Sequence, residues 1–165
     1  MSSPQLRYLL VEQGVGSAVF NFVLNAAIAW GLFRHLSVVP LWGQQSIAGD
    51  TIGTTIMLPL LTCLIVTRVA RGHLRRERVA ALGWSRRSHP WLRALPAGTW
   101  WRAVVLALIT SALVAAPTLW ALAALGIADL GLWPFVAFKA SFAAALAAVV
   151  TPLVALWAIA DGREP

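Results

Sequence analysis

The chain has 165 residues, of which 59% are hydrophobic and 12% charged, and its formal net charge is +7. Soluble domains are usually about 45–50% apolar and about 25% charged, so this chain has too little polar surface for a soluble globule. The composition predicts an integral membrane protein and excludes a disordered chain, a collagen, a disulfide scaffold and an ordinary cytosolic enzyme.

Four segments are long enough to cross a membrane. A helix needs about 20 mostly apolar residues to span about 30 Å of hydrocarbon, and residues 14–33, 46–67, 103–125 and 133–160 meet this requirement. Because the first and last connections are short and contain turn residues, we predict an all-α membrane protein whose single domain, 1–165, has four transmembrane helices arranged as two hairpins.

The first span admits a second interpretation, as a secretory signal peptide. Asn21 and Asn25 in its apolar part, and the balance of Arg7 against Glu12 before it, disfavour that interpretation. If the segment is a span, its small residues Ala27 and Gly31 lie at the same depth as Gly49 and Gly53 of the second span. Small residues at this spacing predict a close backbone approach within the first hairpin.

Polar residues recur inside the first two spans. Ser17, Asn21 and Asn25 follow one another at intervals of four, which places them on one stripe of a helix. The second span contributes Thr51, Thr54 and Thr55, and Pro59 leaves the Thr55 carbonyl without its helical donor. The amides either hydrogen-bond across to the threonines and hold the helices together, which the sequence alone favours, or form with them a site for an ion or polar solute.

Asp50 and Lys139 are the ionisable residues well inside spans, at similar depths from the same side. Either charge alone would be costly there, so we predict a candidate ion pair between the second and fourth helices. The alternative is that each side chain reaches the outer headgroups independently. A more specific version gives Asp50 the role of a carboxylate that binds a proton or cation.

The connection 68–102 is strongly basic. It holds nine of the thirteen Lys and Arg residues and one acid, Glu77. Basic residues near span ends stay in the cytoplasm, so we predict a bacterial inner-membrane protein with both termini cytoplasmic. The predicted contacts with anionic lipid headgroups are Arg75, Arg76, Arg78, Trp84, Arg86, Arg87 and Trp91. An acidic protein partner is the alternative, and the membrane context disfavours nucleic acid.

Signatures of catalysis and of cofactors are missing from the sequence. The histidines all fall in connections, no His, Cys, Asp or Glu cluster has metal-ligand spacing, and there is no phosphate loop or nucleophile elbow. We therefore expect no cofactor and disfavour an enzyme. The leading hypothesis is a transport or channel component for an ion or small polar solute, and the alternative is a non-catalytic accessory or assembly subunit. Four helices enclose little space, so we expect a homo-oligomer or a larger membrane complex.

Overall fold

Four long helices dominate the fold. A computed structural model describes residues 7–75, 96 and 98–161. The helices are α1 (Tyr8–Phe33), α2 (Ile47–Arg75), α3 (Thr99–Ala124) and α4 (Leu132–Asp161). Each contains a stretch that is long and apolar enough to cross a membrane, so the predicted membrane protein with four spanning helices is confirmed by length and composition.

The helices extend beyond the predicted spans. α1 begins six residues before residue 14, and the predicted polar connection 68–102 is helical as far as Arg75 and again from Thr99. Arginine is a good helix former and its long side chain carries the charge away from the helix axis, so a basic sequence does not end α2. Residues 76–95 and 97, with most of the predicted headgroup contacts, lie outside the described residues.

Two helices contain π-helical turns. α1 starts with a π-helical segment, Tyr8–Val15, and α3 has another, Ser111–Ala115, between its α-helical parts Thr99–Thr110 and Ala116–Ala124. In α3 the wide turn directly precedes Pro117, which has no backbone N–H to donate. A π-turn lets the neighbouring amide reach further back, as the Ala116 N–H does in donating to Ser111 O.

A small sheet joins the two short connections, which the sequence analysis did not predict. Strand β1 (Val38–Pro40) pairs antiparallel with β2 (Asp129–Gly131), in the register Val38 to Gly131. The Leu41 N–H extends the pairing by donating to Ala128 O at 2.8 Å. Both connections therefore lie at one end of the bundle, which we call the sheet end.

The opposite end gathers the start of α1 and the ends of α2 and α4. Tyr8 and Leu9 pack in one buried cluster with Ala70 and Ile159, and the Tyr8 hydroxyl lies 3.3 Å from His73 Nδ1. The basic residues Arg7, Arg68, Arg71, Arg75 and Arg102 also belong to this part of the chain. We call it the basic end.

The helices do not pack in the order of the chain. Among the described residues the extensive helix contacts join α1 with α4, α4 with α2, and α2 with α3. The close approach predicted between α1 and α2 is wrong, because a Cβ added at Gly31 or Gly53 would meet nothing within 4 Å. On α4, by contrast, the small residues Ala143 and Ala147 are fully buried and let the neighbouring helices approach closely.

Candidate polar groove

A groove separates α1 from α2. It has a volume of about 640 Å³ and is open along one side, and α4 contributes Lys139 and Thr151 to its lining. The polar side chains that line it are Ser17, Asn21, Asn25, Gln44, Gln45, Ser46, Asp50, Thr54, Thr62, Lys139 and Thr151.

An ion pair lies at the sheet end of the groove. Lys139 Nζ donates to Asp50 Oδ1, and the two side chains are only 5% and 10% exposed. α2 and α4 both begin at the sheet end and run in the same direction, which brings together two residues 89 positions apart. In the structure Asp50 and Lys139 therefore pair with each other and do not reach a headgroup surface separately.

The asparagines of α1 reach the same level. Ser17 Oγ lies 3.2 Å from Ala147 O, and the Phe33 and Phe135 rings are 4.7 Å apart, so α1 and α4 run antiparallel. Asn25 follows Ser17 by eight residues and Lys139 precedes Ala147 by eight, about 12 Å along each helix. Asn25 therefore lies level with the ion pair, and Asn21 lies one turn deeper.

Both asparagines bond only to their own helix. Asn21 Nδ2 donates to Ser17 O at 2.9 Å, and Asn25 Nδ2 donates to Asn21 O at 3.0 Å. Neither amide oxygen accepts a hydrogen bond from the described residues, and neither side chain bonds to a threonine of α2. The interhelical bonds that a purely structural role needs are therefore not formed here, and two acceptors are left unused.

The predicted threonines point in different directions. Thr54 lines the groove, whereas the buried Thr51 and Thr55 do not. The structure therefore does not assemble the five predicted polar residues into one cluster. The Thr55 carbonyl, which Pro59 leaves without a helical donor, accepts instead from Thr110 Oγ1 of α3 at 2.7 Å.

Some of the groove residues could be recognised in the sequence and others could not. Thr62 shares a helical row with Asp50 and Thr54, so its spacing places it on their face of α2, but Thr151 and Gln44 carry no such signal. Their place in the groove depends on which helices pack together, and this cannot be read from hydropathy. Thr110 was missed for the same reason.

Arg75 closes α2, and the other predicted headgroup contacts, Arg76, Arg78, Trp84, Arg86, Arg87 and Trp91, lie outside the described residues. Within the described ranges no group of three or more His, Cys, Asp or Glu side chains could hold a metal ion. Comparison with known proteins gave no matching family, no matching curated protein and no matching solved structure.

Proposed function

We propose that this protein is a multi-pass bacterial inner-membrane protein, with both termini cytoplasmic, that serves as a transport or channel component by holding an ion or a small polar group in the groove. One observation carries the proposal: a buried ion pair and two asparagines share the groove, and much of their hydrogen-bonding capacity is unused. Polar groups are expensive inside a bilayer, so those kept without a partner indicate a ligand.

The unused capacity can be assigned to atoms. An ammonium has three N–H donors and an ionised carboxylate has two acceptor oxygens. Lys139 directs one donor to Asp50 Oδ1, which leaves two donors and Asp50 Oδ2 without partners among the described residues. Together with the oxygens of Asn21 and Asn25, these atoms supply both donors and acceptors at one level of the bundle.

The proposed orientation is supported by charge. The basic end carries Arg7, Arg68 and Arg71, and basic residues next to spans are retained on the cytoplasmic side. The sheet end, with the ion pair, then faces the periplasm. Because the groove is open along one side, a second copy of the chain or another subunit would be needed to close it as a path.

The second candidate is a non-catalytic accessory subunit. Gly31 and Gly53 face open space, and small residues on an uncovered helix face allow another transmembrane helix to approach closely. In that case the groove would receive a partner helix, and the amides would bond to that partner.

Accessibility to water tests the leading proposal. Cys63 is the sole cysteine, so a Cys63→Ala background permits single cysteines at chosen positions. Asn25→Cys should react with a water-soluble methanethiosulfonate in proteoliposomes, because a polar site must be hydrated. Val23→Cys is the matched control: it lies two residues away on the same helix, is 63% exposed and does not line the groove, so lipid should cover it and it should not react.

The opposite result is equally informative. If the folded Asn25→Cys protein stays unlabelled, the groove is dry and the transport proposal fails. If it is labelled alone but protected in a native complex with another membrane protein, the accessory role is the correct one.

A further inference from the structure

Most of the groove wall is apolar. Between its polar residues it is lined by Phe20, Leu24 and Ile28 of α1 and by Met57, Leu61 and Ile65 of α2. A small polar solute lying along these side chains would exchange water for hydrocarbon with no compensating bonds. A ligand that fills the groove must therefore carry an apolar part.

Charge is confined to one end. From Asp50 to Thr62 the groove follows α2 over twelve residues, about 18 Å, and both charged residues lie at its start. Its volume of about 640 Å³ lies inside the range of about 300–1,000 Å³ for ligand sites. The groove thus fits an elongated ligand with a charged head and an aliphatic tail.

The ion pair selects the kind of head. An anion would be attracted by Lys139 but repelled by Asp50. A simple cation would be attracted by Asp50 but repelled by Lys139. A head with a primary ammonium and a phosphate can donate to the free Asp50 Oδ2 and accept from the free Lys139 donors at once. Charge-assisted hydrogen bonds of this kind are the strong ones.

We infer that the groove binds a zwitterionic aminophospholipid from the bilayer, with its headgroup at Asp50 and Lys139 and one acyl chain along the apolar wall. The second chain stays in the membrane, since the groove is open along its side. This inference rests on the proposed function and names its ligand class.

Headgroup competition tests the inference. The full chain is purified, and native mass spectrometry measures its occupancy by phosphatidylethanolamine, phosphatidylcholine and phosphatidylglycerol with matched chains. We expect phosphatidylethanolamine to be preferred by about tenfold, because the choline ammonium has no N–H to donate and the glycerol headgroup is anionic. O-Phosphorylethanolamine, the soluble head alone, should not displace it.

A pair of glycine variants locates the site without disturbing the ion pair. Gly53 lines the groove and Gly72 does not, both lie in α2, and a Cβ at either would meet nothing within 4 Å. Gly53→Leu should fold and lower phosphatidylethanolamine occupancy about tenfold, whereas Gly72→Leu should leave it unchanged. Asp50→Asn with Lys139→Met, which removes both charges together, should abolish the headgroup preference.

Three outcomes would overturn the inference: equal retention of all three lipids, preference for phosphatidylglycerol, or displacement by the soluble head. Retention in Gly53→Leu equal to that in Gly72→Leu would also overturn it, because the lipid would then lie elsewhere. These failures are distinct from failure of the proposed function, which appears as an Asn25→Cys protein that stays unlabelled in vesicles of phosphatidylcholine alone, where no aminophospholipid fills the groove.

Discussion

At the scale of single residues, the Thr55 carbonyl and the two asparagines of α1 use their hydrogen-bonding capacity differently. The Thr55 carbonyl is satisfied by Thr110 from another helix, and this bond has an evident structural reason in Pro59. Asn21 and Asn25 use their donors on their own helix and leave their oxygens free. A group bonded across helices stabilises the fold, whereas a group left half-bonded in a groove is available to a ligand.

The contribution of the Thr110 hydrogen bond to stability can be measured by comparing Thr110→Val in the presence and in the absence of Pro59. Thr110→Val should lower the free energy of unfolding by about 1 kcal/mol, because the Thr55 carbonyl loses its donor inside the bilayer. In a Pro59→Ala background residue 59 regains an N–H that reaches Thr55 O, so the same substitution should cost less. Unfolding in mixed micelles of increasing sodium dodecyl sulfate measures both values.

Thr118→Val is the control for this pair of comparisons, since Thr118 lies in α3 and no hydrogen bond among the described residues joins it to α2. A cost of Thr110→Val that is the same with and without Pro59 would show that the freed carbonyl is not what the hydroxyl satisfies. The remaining acceptors, Leu106 O and Ala107 O of its own helix, would then account for the effect.

At the scale of elements, the sequence predicts the helices much better than their partners. Apolar length locates all four, because crossing the hydrocarbon requires about 20 such residues whatever the packing. It says nothing of β1 and β2, which are three residues each and exist only because distant connections meet. The π-turn before Pro117 is also a local feature, and hydropathy does not predict it.

Small residues show the limit most clearly. Gly49 and Gly53 have the spacing of a packing motif, yet Gly53 faces the groove, while the alanines of α4 carry the close contacts. Such a motif marks where a helix could approach and not which helix does. The depth match of Asp50 and Lys139 was more informative, because charge restricts the choice of partner far more strongly than size does.

α4 packs against both α1 and α2, and this central position gives a packing prediction. Ala147 is fully buried and its carbonyl lies 3.2 Å from Ser17 Oγ, whereas Ala145, two residues away, is exposed. Ala147→Leu should force neighbouring helices apart and cost about 1–3 kcal/mol of unfolding free energy, and Ala145→Leu should cost almost nothing. Thermal denaturation in detergent compares the two, and equal melting temperatures would contradict the central position of α4.

At the scale of the whole molecule, the groove exists because the helices pack out of chain order. α1 lies on α4 and α2 lies on α4, but α1 and α2 stay apart, and the space between them is the groove. Several of its polar residues could be recognised individually in the sequence. That they line one groove could not be predicted, because this depends on contacts between residues as far apart in the chain as Ser17 and Ala147.

The two ends of the molecule differ in charge, which leads to a prediction about orientation. The sheet holds both short connections at one end, and Arg7, Arg68 and Arg71 belong to the other. In a Cys63→Ala background, a membrane-impermeant maleimide added to spheroplasts should label Asp129→Cys, in β2, because the orientation that we propose places the sheet end outside. It should label Arg7→Cys only after the membrane is permeabilised, since basic residues beside spans are retained in the cytoplasm. Asp129 and Arg7 are both exposed, so their access to the maleimide should differ only by the side of the membrane on which they lie.

The reverse labelling pattern would invert the proposed orientation. Labelling of both residues in intact spheroplasts would contradict placement of the two ends on opposite sides of the membrane.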